Sequence, residues 1–380
     1  LAIVTNRQSA IGNQQSKPRV VVAMSGGVDS SVAAALLVQQ GYDVVGIMLR
    51  LWADDTAGAT DGTPHTNRCC APEAVADARA IAQQLGIPFY DIHAESIFKQ
   101  RVVDPWINAY AEASTPNPCF NCNRSIRFGF LMQRALALGA QYLATGHYAR
   151  VGRNEDGTLV LRKGADEKKD QSYVLHVLGQ RDLAHAMFPC GEYTKPQVRD
   201  LARQFGLPTA ERAESQDLCF LTQGDYRGFL SRQRPGIAQP GSIVTRQGEV
   251  IGQHEGLPYY TVGQRKGLNL RPHSASTEPL YVLRLDAQHN TLVVGPAAEL
   301  GERVVQVRAM HYVSDAPPAA PLRCTAKVRY KGREAACWLL PQTDGNACVE
   351  FDEAQRDATP GQGLVAYDGD VVIGGGLIAR

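Results

Sequence analysis

No apolar run in this 380-residue chain approaches the length of a membrane span, so no transmembrane helix is expected. The opening residues, LAIVTNRQSAIGNQQSKPR, lack a basic region ahead of an apolar core, and so lack the pattern of a secretory signal. Residues 1–18 are expected to form a disordered lead-in. Net charge is nearly absent, with 39 Lys and Arg against 38 Asp and Glu. That balance neither points to a polyanionic partner nor excludes one, because local patches hold a nucleic acid on a neutral protein. Two common nucleotide signatures are missing. Without G-x-x-x-x-G-K-[ST] no P-loop lysine reaches a terminal phosphate, and without G-x-G-x-x-G there is no dinucleotide fingerprint. A second C-x-x-C is missing as well, which argues against a zinc ribbon. No period of solenoid length repeats.

What is present starts with residues 20–31, VVVAMSGGVDSS. The apolar run reads as a buried strand, the glycine-rich stretch as a tight turn, and residues 31–40 as a helix. Glycines let the backbone approach a ligand closely, and the N–H groups of a first helical turn point at it. Ser25, Ser30 and Ser31 add hydroxyl donors. The combination suits a phosphate chain. The pattern SGGVDS resembles the pyrophosphate loop of the ATP pyrophosphatase superfamily, whose members cleave ATP between the α and β phosphates and use the AMP to activate an oxygen of a second substrate.

From residue 20 to about 205 strands alternate with helices, among them an amphipathic helix over 73–86 that ends at a glycine. This predicts an α/β fold with a doubly wound parallel sheet, in which ligands bind at the carboxyl ends of the strands. SGGVDS and Thr145-Gly146-His147-Tyr148 both fall at such ends. After Gly224, short β-rich runs separated by glycine and proline read as antiparallel hairpins: a small β-rich central domain and a C-terminal antiparallel β-barrel.

Nine cysteines, in a chain without a signal pattern, suit a reducing cytoplasm. Cys324, Cys337 and Cys348 alternate with apolar residues and read as core. Cys119 and Cys122, in TPNPCFNCNR, follow prolines and are expected on a loop just before a helix. Arg124, Arg127 and the helix start would favour a thiolate at Cys122. A metal pair, a redox dithiol and a nucleophile with a partner cysteine are the competing readings. The partner candidate is Cys219, in the polar, turn-like ESQDLCF.

SGGVDS, TPNP-C-x-x-C-N, ATGHYAR, KDQSYVL, GEYTKPQVR, ESQDLCF, YTVGQRKGL and TPGQ occur in that order. Together they resemble the bacterial tRNA-specific 2-thiouridylases, over the chain from about Arg19 to its end. The resemblance implies a nucleotide-binding and catalytic domain over 19–231, a central β-rich domain over 232–296 and a barrel over 297–380. It implies replacement of the C2 oxygen of a tRNA wobble uridine by sulfur. AMP from ATP would convert the carbonyl oxygen into a leaving group, with Mg²⁺ assisting.

By the same resemblance Cys219 carries a persulfide, received from a cysteine desulfurase through sulfur carriers. Cys122 is the nucleophile, either freeing hydrosulfide and leaving a Cys122–Cys219 disulfide, or acting after the persulfide has attacked the activated carbon. The implied ATP set is Ala23, Met24, Ser25, Gly26, Gly27, Val28, Asp29, Ser30, Leu49 and Gly146. Asn117, Pro118 and Cys119 match the loop at the target base, which must be extruded to be reached. His147, Lys169, Asp170, Gln171, Arg329, Tyr330 and Gln362 match tRNA-contacting positions. Residues 299–380 hold nine basic and eleven acidic side chains, so RNA contact by the barrel would be local. Some relatives carry Asp where this chain has Cys119. A 4Fe–4S cluster on Cys119, Cys122 and Cys219 is therefore an alternative route. Another adenylating synthetase, or a nucleotide-dependent RNA clamp, would account for SGGVDS without the cysteines.

Overall fold

A computed structural model describes residues 17–54, 72–212, 218–221, 225–268, 270, 278–356 and 358–379. Cys69, Cys70 and residues 1–16 lie outside the described residues. The first strand is Arg19–Ala23. Val20 and Val22 pack into one apolar cluster with Val32, Leu36 and Ile81, while Val21 packs into another with Ile47, Leu131 and Leu143. Both faces of the strand are covered, which is why its sequence reads as an unbroken apolar run.

Five parallel strands lie in the order Phe89–His93, Asp43–Arg50, Arg19–Ala23, Tyr142–Ala144, Ala186–Met187. The chain works outward from Arg19–Ala23 on one side, then crosses to the other. That reversal opens a crevice beyond the carboxyl ends of the two central strands. Residues 24–30 and 145–148 lie there.

Several local expectations shift. The helix after SGGVDS is Val28–Gln39, three residues earlier than its apolar pattern, because Gly27 is its N-cap and Ser31 N already donates to the Gly27 carbonyl. The run 142–149 reads as one strand, but the strand stops at Ala144, and a separate hairpin, Ala149–Arg153 with Leu159–Lys163, begins after the Gly146 loop. Helices Pro72–Gln84 and Lys195–Gln204 are each followed by a glycine at positive φ, Gly86 and Gly206, which closes the helix end without a Cβ penalty. No helix among the described residues is long and apolar enough to cross a membrane.

The central sheet runs Leu280–Asp286, Thr291–Pro296, Gly241–Thr245, Val250–His254. It is not wholly antiparallel, since Thr291–Pro296 pairs parallel to Gly241–Thr245. Six antiparallel strands between Glu302 and Ile378 close into a barrel where Glu302–Tyr312 pairs with Val371–Ile378. The 149–163 hairpin extends the barrel's sheet through Val371 and Arg162. Asp370 fixes this junction by accepting from Arg150 at 3.1 Å and Arg162 at 2.8 Å. The α/β part of the chain thus lends two strands to the barrel's sheet.

Candidate active site

The phosphate loop is shaped by close backbone approaches. Gly26 has φ +69°, and a Cβ there would stand 2.5 Å from the Ala74 carbonyl oxygen. Gly146 lets the neighbouring loop touch the helix start, since its Cβ would lie 2.7 Å from Asp29 C and Ser30 N. Gly146→Ala is therefore expected to cost about 1–3 kcal/mol of packing strain and to weaken ATP binding about tenfold or more. Calorimetric titration with a non-hydrolysable ATP analogue checks this.

Of the three serines, Ser31 is turned inward. It is fully buried and its hydroxyl donates to the Gly27 carbonyl at 2.8 Å, so it is not the phosphate donor expected. Ser30 is buried too, donating to Gly27 O at 3.1 Å and accepting from Ser25 N at 3.2 Å. These bonds rigidify the turn. The Ser25 hydroxyl stands at the exposed rim, 3.3 Å from that of Ser30. Ala23 and Met24 lead into the loop, and Val28 anchors its helix in the core.

Asp29 sits in the first turn of the helix, where a carboxylate is favoured by the backbone dipoles. Two residues that sequence reasoning passed over hold it. Lys195 donates to both carboxylate oxygens at 2.7 and 2.9 Å, and the Tyr148 hydroxyl donates at 2.7 Å. The Lys195 side chain is only 9% exposed, an ammonium buried because it is paired. Arg212 adds a second cation, donating to the Gly26 carbonyl at 2.8 Å and pairing with Asp77. Lys195 and Tyr148 do lie inside GEYTKPQVR and ATGHYAR, but neither motif says which carboxylate they reach.

The segment with Cys119 and Cys122 departs from the expected loop. Pro118–Asn121 is helical and runs directly into a π-helical stretch, Cys122–Leu131. Pro118 is the first helical residue, where its missing N–H costs nothing, and Asn117 caps the helix by accepting from Cys119 N at 3.0 Å. In a π-helix, residues five apart share a face. Arg127 accordingly lies 3.7 Å from the Cys122 sulfur and donates to Asn123 at 3.1 Å. Arg124, the other expected partner, is exposed and interacts with Asp182 instead. Burial and the neighbouring Cys122 push the Cys119 thiol up to about 11, against the pull of Arg127.

Cys122 is buried in an apolar cluster with Phe98, Trp106, Ile126 and Phe220. Phe220 adjoins Cys219, and its ring meets Trp106 edge-on at 5.3 Å. The segment carrying the exposed Cys219 is thus docked on the cluster that holds Cys122. Leu49 packs between this cluster and the sheet core. Cys190 is buried, and its thiol donates to the Asp29 carbonyl at 3.2 Å. Cys324 and Cys337 lie in the barrel core, whereas Cys348 is half-buried and takes a bond from Gln306.

Gly146 and His147 lie between the SGGVDS loop and the Cys122 helix, to which His147 is linked through Phe188. Gly146 abuts the phosphate loop, and His147, one residue on, feels the charge of Arg127. Loss of solvation and that charge lower the His147 pKa, leaving a neutral imidazole with Nδ1 2.7 Å from the Thr145 hydroxyl.

The remaining residues form the seam with the barrel. Asp170 is buried, accepting from Gly164 N, Ser172 N and the Ser172 hydroxyl, so it holds its own loop in place. Lys169, next to it, is half-buried, and Arg329 is exposed on the barrel side. Gln171 accepts from Tyr148 N at 3.1 Å and meets Tyr330, which packs 5.8 Å from Tyr173. Gln362 donates to the Thr115 carbonyl.

His176 lies behind this seam, 4.7 Å from the Phe120 ring, and burial depresses its pKa to about 3. Between that value and the unfolded value near 6.5, the unfolded chain binds a proton that the folded chain does not. Stability is therefore expected to fall as pH drops below about 6.5, by roughly 1–2 kcal/mol at pH 5 from this residue. His176→Gln should remove that part of the slope, as read from urea midpoints at pH 7 and 5.

Residues 18–223 match the family profile described as tRNA methyl transferase HUP domain. Residues 227–296 match the tRNA methyl transferase PRC-barrel domain, and 302–378 the Aminomethyltransferase beta-barrel domain. The tRNA-specific 2-thiouridylase MnmA of Moorella thermoacetica is 47% identical over 359 residues, covering 94% of this chain and 98% of that protein. This chain belongs to the tRNA-specific 2-thiouridylase family. The 2-thiouridylase of Magnetococcus marinus is likewise 47% identical, over 95% of this chain and 98% of its own. A solved 4-thiouridine synthetase–RNA complex with bound ATP shares 14% identity at TM-score 0.33, over 58% of this chain and 51% of that one. Membership makes this 2-thiouridylase homologue an enzyme of the sulfurtransferase class.

Proposed function

We propose that this enzyme catalyses ATP-dependent 2-thiolation of the wobble uridine of tRNA. One observation supports the reading: Gly146 abuts the glycine-rich loop, while His147 meets Phe188 edge-on at 6.1 Å and Phe188 meets Phe128 of the Cys122 helix at 6.0 Å. A phosphate loop beside a buried thiol serves a reaction that first activates an oxygen and then delivers sulfur.

The uridine O2 attacks the α-phosphorus of ATP and pyrophosphate leaves. The helix start and loop backbone stabilise the departing charge, and Lys195 and Arg212 lend positive potential. Mg²⁺ commonly binds through one or two carboxylates together with substrate phosphates. Both oxygens of Asp29, the carboxylate at this loop, are held by Lys195, so it does not fit a magnesium ligand in this arrangement, and Mg²⁺ would be held by the ATP phosphates, whose charge it would offset. Cys122 then attacks the Cys219 sulfur of a Cys219 persulfide. A Cys122–Cys219 disulfide forms and hydrosulfide departs. Hydrosulfide adds to C2, and AMP leaves with the former O2. A dithiol reductant resets the disulfide by a two-electron exchange.

Cys119, Cys122 and Cys219 are all described, and no three His, Cys, Asp or Glu side chains among the described residues gather into a metal-holding group. The trio in this arrangement does not fit a 4Fe–4S cluster, and no step is routed through one. Sulfur would come from a cysteine desulfurase through carrier proteins, in the cytoplasm. Nucleoside analysis of unmodified tRNA, incubated with the enzyme, ATP and a persulfide donor, is expected to show 2-thiouridine at the wobble position. ATP-independent product, or none, contradicts the proposal.

A further inference from the structure

The carboxamide of Gln362, a half-buried residue matched by resemblance to tRNA contact, is bonded within the protein. Its Nε2 donates to the Thr115 carbonyl at 2.7 Å, and Thr115 N donates back to the Pro360 carbonyl at 2.9 Å. Both backbone groups of Thr115 are thereby held by one barrel loop. Two residues later comes Asn117, the cap of the helix that carries Cys119 and Cys122.

The contact is close along its length. Gly361 has φ +89°, and a Cβ there would stand 3.0 Å from Ser114 Cβ and Thr115 N. A Cβ at Gly363 would meet the Phe120 ring at 2.4 Å. The Tyr173 hydroxyl donates to the Gly363 carbonyl at 2.9 Å and its ring lies 5.5 Å from Phe120. The loop is itself stiff: Gly361 N donates to Ile378 O at 3.0 Å and Ile378 N to Gln362 O at 2.8 Å, on the strand that closes the barrel. A rigid barrel edge grips the chain just ahead of the cysteine helix.

We propose that the barrel loop 359–363 is a positioning element for the Cys122 helix, with Gln362 acting through Thr115, so that the C-terminal domain sets sulfur-transfer geometry. This rests on Cys122 as the nucleophile. The clip fixes where the helix starts, and hence where its thiol meets the Cys219 persulfide and where hydrosulfide is released. Small misplacements of a reacting group cost large factors in rate without changing substrate binding.

The test uses the full chain with Gln362→Met, which keeps the side-chain length and loses the donor. Gly361→Ala is the second variant; it removes no side chain that could touch RNA. Each is measured for thiolation rate at saturating tRNA and for tRNA affinity by filter binding. The expected result is a saturating rate lower by about tenfold or more, with tRNA affinity within about twofold of the parent and a melting temperature within a few degrees. An unchanged saturating rate, or an affinity loss above about fivefold, would overturn the positioning role and return Gln362 to direct RNA contact. Cys122→Ser run in parallel judges the underlying reading separately, since thiolation persisting there contradicts the nucleophile and not the clip.

Discussion

Replacing Cys122 by serine is expected to lower tRNA thiolation by at least about 10³-fold, because a hydroxyl is a poor nucleophile toward sulfur and the step has no substitute. The substitution is nearly isosteric in a cluster built by Phe98, Trp106, Ile126 and Phe220, so the fold is expected to survive. ATP binding should also survive, because the phosphate loop is shaped by Gly26, Gly146 and Asp29, none of which contacts the thiol. Mass spectrometry of digested tRNA reads the thiolation, and nucleotide titration reads the binding. The two together show whether energy input and sulfur delivery are separate halves of one site.

Lys195→Met should produce the second large loss, about 10²-fold in thiolation, with weaker ATP binding. Lys195 meets both oxygens of Asp29, and removing it leaves a half-buried carboxylate facing the phosphates beside the Tyr148 hydroxyl. The anion site then holds a negative charge where it needs a positive one. Breaking a buried pair on one side costs more than the pair itself is worth. The Lys195→Met, Asp29→Asn double variant removes the stranded charge. It should recover part of the ATP affinity if charge, not packing, is the cause. Equilibrium binding of an ATP analogue across the three proteins checks it.

Much of the fold was readable from local pattern. The Val20–Val22 run announces a strand covered on both faces, and Gly86 and Gly206 mark helix ends through their missing Cβ. The placement of SGGVDS at a strand end follows from the same alternation. What escaped depended on contacts between distant segments. Asp29 and Lys195 are 166 positions apart, and Thr115 and Gln362 are 247 apart. No periodicity reports such pairings. The misread helix at Pro118 has a different cause. Proline breaks a helix interior but suits its first residue, and only the Asn117 cap decides between the two. Arg127 over Arg124 was likewise hidden, because α-helical spacing separates positions 122 and 127 while the π-helical winding aligns them.

In the proposed reaction ATP is spent to make the uridine C2 oxygen leave as part of AMP. The most direct measurement is the fate of that oxygen in a single turnover, with tRNA carrying ¹⁸O at C2 of the wobble uridine, ATP and a persulfide donor. One ¹⁸O is expected in the phosphate of AMP for each 2-thiouridine formed, with unlabelled pyrophosphate. Label in water, in pyrophosphate or in free phosphate, or 2-thiouridine formed alongside ADP, would contradict it.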